Sequence, residues 1–248
     1  MTTSRTPSST PTYRRPRIGW VVDVQNDFML PTGRLYVHHL SDPSDVGATN
    51  AADAITHAVR WMRANCDVVV YTGDWHAYGD REINTVDPDP MKETYPPHCM
   101  GLSPDPIERV GAALIAAIDP GDKAFVLERG ADADDARYTA RHAVTERRPV
   151  FIHKSEFSVF DGNPATVPFL TELEDTLGDA PEIVTCGVAT DVCVKRAVDG
   201  FLDRGYRVRV VTDATWSLGL IDEDEMFARW QERGAKLTTT NDLAPAMR

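Results

Sequence analysis

A chain of 248 residues, 42% of them hydrophobic, is long enough for one large α/β domain and too apolar to be disordered. The formal net charge of −12 argues against nucleic acid as a partner, because gripping a phosphate backbone draws on a basic surface. No apolar run approaches the roughly 18–20 residues of a membrane span, so no membrane partner is expected, and Cys66, Cys99, Cys186 and Cys193 are dispersed with no CxxC, which reads as reduced thiols in a cytoplasmic protein.

The opening MTTSRTPSSTPTYRRPR is polar, basic and free of acids, with no apolar segment. It reads as a disordered tail over 1–16, with a transit peptide as the alternative, rather than a secretory signal, and a single domain is expected over 17–248. RIGWVVDV (17–24) is a short apolar run ending in an aspartate, a buried strand. ATNAADAITHAVRWMRANC (48–66) has helical spacing at Ala52, Ile55, Ala58, Val59 and Met62, and DVVVYTGDW (67–75) is a second buried strand. A proline-rich loop follows over 76–105. PIERVGAALIAAI (106–118) reads as a helix with proline near its start, KAFVLERG (123–130) as a strand and DDARYTARHAVTERR (134–148) as a helix. PVFIHK (149–154) is another buried strand, and TVPFLTELEDTLG (166–178) a helix closed by glycine. The strand EIVTCGV (182–188), a helix over 191–204, the strand RVRVVTDA (207–214), a helix over 222–233 and the strand KLTTT (236–240) complete the chain.

Strands alternating with helices predict an α/β fold, a mostly parallel sheet with helices on both faces in Rossmann-like layering. Such sheets bind ligands at the carboxyl ends of their strands. Four predicted strand ends carry chemistry there: Asp23, Asp74, Lys154 and the turn leading to Cys193. A lone cysteine is usually a small buried hydrophobe, and that reading suits Cys186 in mid-strand. Asp-x-His at 74–76, with His98 from a distant loop, offers one carboxylate and two imidazoles, a set that suits zinc, iron or manganese.

DVQNDF (23–28), DWH (74–76), YPPHC (95–99), HKSEFSVF (153–160) and GVATDVCV (187–194) together resemble the isochorismatase-like cysteine hydrolases, and within these the nicotinamidases. The resemblance spans about residues 17–243. It implies a catalytic triad of Asp23, Lys154 and Cys193. The residues fit those roles: a helix N-terminus and Lys154 favour a thiolate at Cys193, and Asp23 is placed to take and return a proton. The resemblance also implies a cis peptide at Val188–Ala189 and an oxyanion hole from the amides of Ala189 and Cys193. It makes Asp74, His76 and His98 ligands of a divalent transition metal, with Glu82 as a candidate fourth, direct or through water.

Lys123, which also begins a strand-like run, is the rival to Lys154, but it precedes its strand and lies at the wrong end of the sheet. Phe28 and Tyr95 are candidates to sandwich a flat substrate ring, with ordinary packing as the alternative. Three features depart from the nicotinamidase pattern: Glu82 where some members have histidine, Tyr95 where tryptophan is common, and an inserted segment around 102–148. The expected activity is a cysteine-dependent amidohydrolase that turns a small planar carboxamide into carboxylate and ammonia through a thioester, nicotinamide first among substrates. The alternatives are an amidase of the N-carbamoyl or maleamate type and a binding protein on the same fold. The expected partners are a small-molecule amide and further copies of the chain in a homo-oligomer.

Overall fold

Short apolar runs rich in valine and isoleucine, bounded by polar turns, become buried parallel strands. In the computed structural model, which describes residues 14–243, these are β1 (Arg17–Val22), β2 (Val68–Asp74), β3 (Phe125–Leu127), β4 (Val150–Lys154), β5 (Glu182–Val188), β6 (Arg207–Trp216) and β7 (Lys236–Thr238). All pair in parallel in one sheet, ordered β3-β4-β2-β1-β5-β6-β7. The helices are α1 (Asn26–Met29), α2 (Ala52–Asn65), α3 (Pro106–Arg109), α4 (Ala133–Glu146), α5 (Val159–Gly162), α6 (Thr166–Leu177), α7 (Lys195–Asp203) and α8 (Glu223–Glu232). Nearly all of the tail expected at 1–16 lies outside the described residues. No described helix is long and apolar enough to cross a membrane.

Alternation along the strands splits the core into two clusters, one on each face. Ile18, Trp20 and Val22 of β1 pack with apolar residues of α4, α6, α7 and α8, among them Ala140, Phe169, Phe201 and Trp230. Val21 of β1 packs on the opposite side with Ile55, Val59 and Met62 of α2 and with Leu114, Ile115 and Ile118. The expected α/β fold with both faces covered is therefore the observed one. Crossovers from β1 lead first to β2 on one side; from β4 the chain returns to β5 on the other side of β1. That reversal sets a crevice at the carboxyl ends of β1 and β5, where open α/β sheets bind ligands.

One predicted helix is corrected. Over 106–118 only Pro106–Arg109 is α-helical, followed by a 3-10 turn at Val110–Ala112. Residues 113–115 then run extended beside residues 24–26, their backbone groups bonding across rather than along the chain, before a turn at 116–118 closed by Ile118 N–H on the Ile115 carbonyl at 3.1 Å. Asn26 N–H donates to the Ala113 carbonyl at 2.9 Å and Ile115 N–H to the Val24 carbonyl at 3.1 Å. The buried Gln25 amide donates to the Ala112 carbonyl at 2.7 Å. Partners of this kind satisfy the backbone as fully as a helix would and leave Leu114 and Ile118 free to enter the core. Another difference is at the expected helix 191–204: it begins with a π-helical turn, Thr190–Val194, and becomes α-helical only at Lys195. Segment 102–148 supplies α3, the edge strand β3 and α4 to the same sheet.

Candidate active site

Parallel register brings the chemistry together. β2 and β4 pair so that Asp74 lies opposite Lys154. β1 ends beside them, and Asp23, the next residue, takes a left-handed φ of 51°, a conformation that aspartate tolerates better than most side chains. Its N–H donates to the Thr72 carbonyl at 3.2 Å, and Thr72 Oγ1 donates to Asp23 Oδ1 at 2.7 Å. On the other side of β1, Gly187 has φ 127°, and a Cβ there would lie 2.0 Å from the Val22 carbonyl oxygen. Only glycine lets β5 pass so close to the end of β1. The cis peptide lies at Val188–Ala189, where the resemblance implies it. The turn beyond is closed by Val192 and Val194 N–H groups, both 3.1 Å from the Ala189 carbonyl.

These elements converge on one buried cluster. Lys154 Nζ is 2.9 Å from Asp23 Oδ2, contacts Asp74 Oδ1, donates to the Glu156 carbonyl at 3.1 Å and is 3.9 Å from Cys193 Sγ. Asp23, Asp74 and Lys154 are at most 1% exposed, and Cys193, at 6%, is the least buried residue of the set. Ala189 lines the same turn, 5% exposed. Burial alone would strip the proton from Lys154, but Asp23 and Asp74 more than offset it, and the ammonium is held well above its usual pKa. Burial pushes Asp23 up, against the pull of Lys154. Lys123, by contrast, is exposed in a turn before β3 at the opposite end of the sheet.

The state of Cys193 differs from the expectation of a ready thiolate. Burial pushes its pKa well above the ordinary thiol value; Lys154 opposes this, while Asp23 and Asp74 add to it. With two carboxylates around one ammonium, a thiolate would bring a second uncompensated negative charge into a dry site. Cys193 also lies in the π-helical turn rather than on an α-helical first turn, where a helix dipole acts most strongly. These surroundings favour the thiol form of Cys193 and set the Asp23 carboxylate beside it.

The second cluster shares Asp74. Alternation in DWH sends Asp74 and His76 to one side and Trp75 to the other, where it stacks on His153 with ring centres 3.8 Å apart. His76 N–H donates to the Cys99 carbonyl at 2.9 Å, which docks the loop carrying His98 against the loop carrying His76. The result is Asp74, His76, Glu82 and His98, all buried, with one donor atom from each and all four atoms within 4.8 Å of one another. His76 Nε2 and His98 Nε2 each lie 3.9 Å from Asp74 Oδ2, and His76 Nε2 is 3.8 Å from Glu82 Oε2.

These residues fit a divalent cation. Ligands about 2.1 Å from a common centre lie about 3–4 Å apart, close to what is seen here. His76 Nε2 and Glu82 Oε2 are buried with no hydrogen-bond partner. The far ring nitrogens are engaged: His98 Nδ1 with the Pro96 carbonyl at 2.8 Å, His76 Nδ1 with Asp80 at 3.2 Å. That leaves each Nε2 with its lone pair toward the centre. Burial and the Asp74 charge push Glu82 up to about 8. Burial lowers His76, but the nearby carboxylates of Asp74 and Asp80 outweigh it and raise the ring to about 9. Burial and His76 push His98 down to about 4.

Phe28 and Tyr95 both border this cluster, their ring centres 5.6 Å and 6.2 Å from that of His98, and Phe157 faces Tyr95 at 5.8 Å. Every site residue expected from the sequence thus falls at one end of the sheet. Sequence reasoning missed the residues that hold them. Gln25 accepts from Asp74 N–H and donates to the Asp74 carbonyl, each at 2.8 Å. Asp27 accepts from Cys99 N–H at 2.7 Å and so fixes the His98 loop. Glu82 Oε1 accepts from Phe157 N–H at 3.0 Å. Asp191, the acid within GVATDVCV, is no base: its two oxygens accept the N–H groups of Leu218 and Leu220 at 3.0 and 2.7 Å, anchoring the turn. Gln25, Asp27 and Asp191 sit inside the quoted motifs, the one signal that marked them.

A sequence model of the Isochorismatase domain matches residues 20–242. The nicotinamidase of Escherichia coli (strain K12) is 27% identical over 241 residues, covering 92% of this chain and 96% of its own. A solved structure of PnC1 from L. infantum in complex with nicotinate shares the fold with a TM-score of 0.62 at 20% identity, over 92% of this chain and 94% of its own. The pyrazinamidase of Pyrococcus horikoshii in complex with zinc does so with a TM-score of 0.58 at 22% identity, over 90% of this chain and 98% of its own.

Proposed function

The chain belongs to the Isochorismatase domain family, and from that premise and the geometry at the strand ends we propose that it is a cysteine-dependent amidohydrolase. Its substrate is a small planar carboxamide, which it converts to carboxylate and ammonia; nicotinamide is the foremost candidate, consistent with the full-length likeness to a nicotinamidase. The observation that carries this reading is the buried set Cys193, Lys154 and Asp23 beside a four-donor cluster.

The reaction follows from the charge arrangement. As Cys193 Sγ attacks the amide carbon, its proton passes to Asp23 and the carbonyl π electrons move onto oxygen. The amides of Ala189 and Cys193 are the proposed donors to that oxyanion. Lys154 stays protonated throughout and offsets the charge that develops between Asp23 and the sulfur. The oxyanion collapses, the C–N bond breaks, and Asp23 returns its proton to the leaving nitrogen, which departs as ammonia. Water then attacks the thioester with Asp23 again as base; the C–S bond breaks, the thiol is restored and the carboxylate is released.

Asp74, His76, Glu82 and His98 are the proposed holders of a zinc, iron or manganese ion. When bound, such an ion supplies a Lewis-acid site for a ring nitrogen or a water molecule. Phe28 and Tyr95 would flank a flat ring there. One feature favours a second reading of the substrate. Glu82 adds a negative oxygen donor to the centre, which weakens its pull on a neutral ring nitrogen, and an amide of the N-carbamoyl or maleamate type is the alternative substrate. Ammonia release measured over nicotinamide, pyrazinamide, N-carbamoyl amino acids and maleamate decides between them. Turnover of nicotinamide well above the others supports the first reading, and no release from any of them would contradict the amidase assignment.

A further inference from the structure

Arg129 follows β3, far from the cleft in sequence, yet its side chain reaches the loop that carries His76. Nη1 donates to the Trp75 carbonyl at 2.8 Å and to Asp80 Oδ2 at 2.7 Å, and Nη2 donates to Asp80 Oδ1 at 3.0 Å. The guanidinium fork therefore grips the Asp80 carboxylate with both arms and also the peptide between Asp74 and His76. Asp80 is committed in the other direction: its Oδ2 accepts from Ala77 N–H at 2.9 Å and faces His76 Nδ1 at 3.2 Å. Side-chain exposure falls along the chain of contacts, 23% at Arg129, 14% at Asp80 and 0% at His76. An ordered path thus runs from near the surface to the orphaned His76 Nε2.

We propose that Arg129 and Asp80 are positioning residues for the metal centre, holding His76 in the ring orientation and tautomer that turn Nε2 toward Asp74, Glu82 and His98. The proposal rests on the reading of those four residues as a metal site. Planar bidentate geometry is what arginine offers and lysine does not, and it fixes a carboxylate in rotation as well as in place. Asp80, so fixed, accepts the Nδ1 hydrogen, which keeps the Nε2 lone pair available to a cation. The pair is neutral in sum, so it orients His76 without adding net charge beside Asp74 and Glu82. It also gives the segment containing β3 and α4 a part in the site, through one side chain.

The rival account is an ion pair that only ties β3 to the body of the protein. Such a tie would change the unfolding temperature and leave metal affinity in the folded protein untouched. The test is zinc affinity of the full-length chain, by competition with a chromophoric chelator, together with the visible absorption of the cobalt-loaded form. Arg129→Gln and Asp80→Ala are each expected to weaken zinc binding by about 10- to 100-fold, the range for residues that orient a metal ligand. The double variant should bind zinc more tightly than the product of the two single losses would give, since Arg129 acts in part through Asp80. Arg129→Lys should fall between wild type and Arg129→Gln, and its folding is checked by circular dichroism in case the other variants fail to fold. Wild-type affinity and an unchanged cobalt spectrum in folded Arg129→Gln and Arg129→Lys would overturn the proposal while leaving the metal reading standing. A wild-type chain that binds no zinc or cobalt would remove the metal reading, and this proposal with it.

Discussion

Asp74 stands at the boundary of two buried clusters built on opposite principles. Through Oδ1 it joins the proposed catalytic set, where one ammonium sits among the oxygens of Asp23, Asp74 and Glu156. Through Oδ2 it joins the donor set, where His76 Nε2 and Glu82 Oε2 find no partner in the protein. Asp23 Oδ2 in the first cluster also lacks an aligned hydrogen bond, but it has the Lys154 ammonium 2.9 Å away; a buried polar atom left unpaired costs about 1–3 kcal/mol, so the second cluster is the one with most to gain from an added group. On the proposed function the difference separates two tasks: bond making and breaking falls to the set gathered around Lys154, and holding the substrate falls to the set with the unpaired donor atoms.

Breaking the first cluster should have the largest effect. Cys193→Ala is expected to lower amide turnover by about 10⁴-fold or more, measured as ammonia release, with an unchanged circular dichroism spectrum, because removing a nucleophile disables the whole catalytic unit. Asp23→Asn and Lys154→Ala should each cost about 10²–10⁴-fold in kcat, and the double variant should be about as slow as the worse single one; losses that multiply would show that the two residues act separately. Lys123→Ala, at the far end of the sheet, should leave kcat unchanged.

Damage to the second cluster should be smaller and of a different kind. Stripping metal with a chelator, or changing His76 or His98 to alanine, is expected to lower kcat/KM by about 10- to 100-fold, chiefly through KM. Metal content by elemental analysis should fall in parallel, and a loss confined to kcat would contradict the division of tasks. The smallest effect is expected outside both clusters. Cys186 lies in mid-strand with its thiol pushed up to about 12 by burial alone, with no charged neighbour to tune it. Cys186→Ala should lower stability by about 1–3 kcal/mol in urea unfolding and leave turnover near wild type.

The two clusters were unequally legible in the sequence. Strand ends in a parallel sheet share an edge, so Asp23, Asp74, Lys154 and Cys193 could be grouped before any coordinates, and the motif set sharpened their roles. What the sequence does not display is register and long-range bonding. The pairing of Asp74 with Lys154 follows from how β2 meets β4, and Arg129 and Gln25 act on residues 49 positions away. Residues 113–115 show why periodicity alone misleads there: the apolar spacing around them fits a helix, but bonds to residues 24–26 interrupt it. The charge state of Cys193 was also hidden, because it depends on three buried neighbours from three different strands rather than on the turn that carries it.

The most direct test of the central claim is to catch the acyl-enzyme. Wild-type protein mixed with nicotinamide, or with whichever panel amide it turns over fastest, is quenched in acid within the first turnovers and digested, and the peptide containing Cys193 is weighed by mass spectrometry. The account predicts a mass increase equal to the acyl group on Cys193, absent from Cys66, Cys99 and Cys186 and absent in Cys193→Ala, which also releases no ammonia. Ammonia release from Cys193→Ala at the wild-type rate, with no adduct on any cysteine of the wild-type protein, would contradict it.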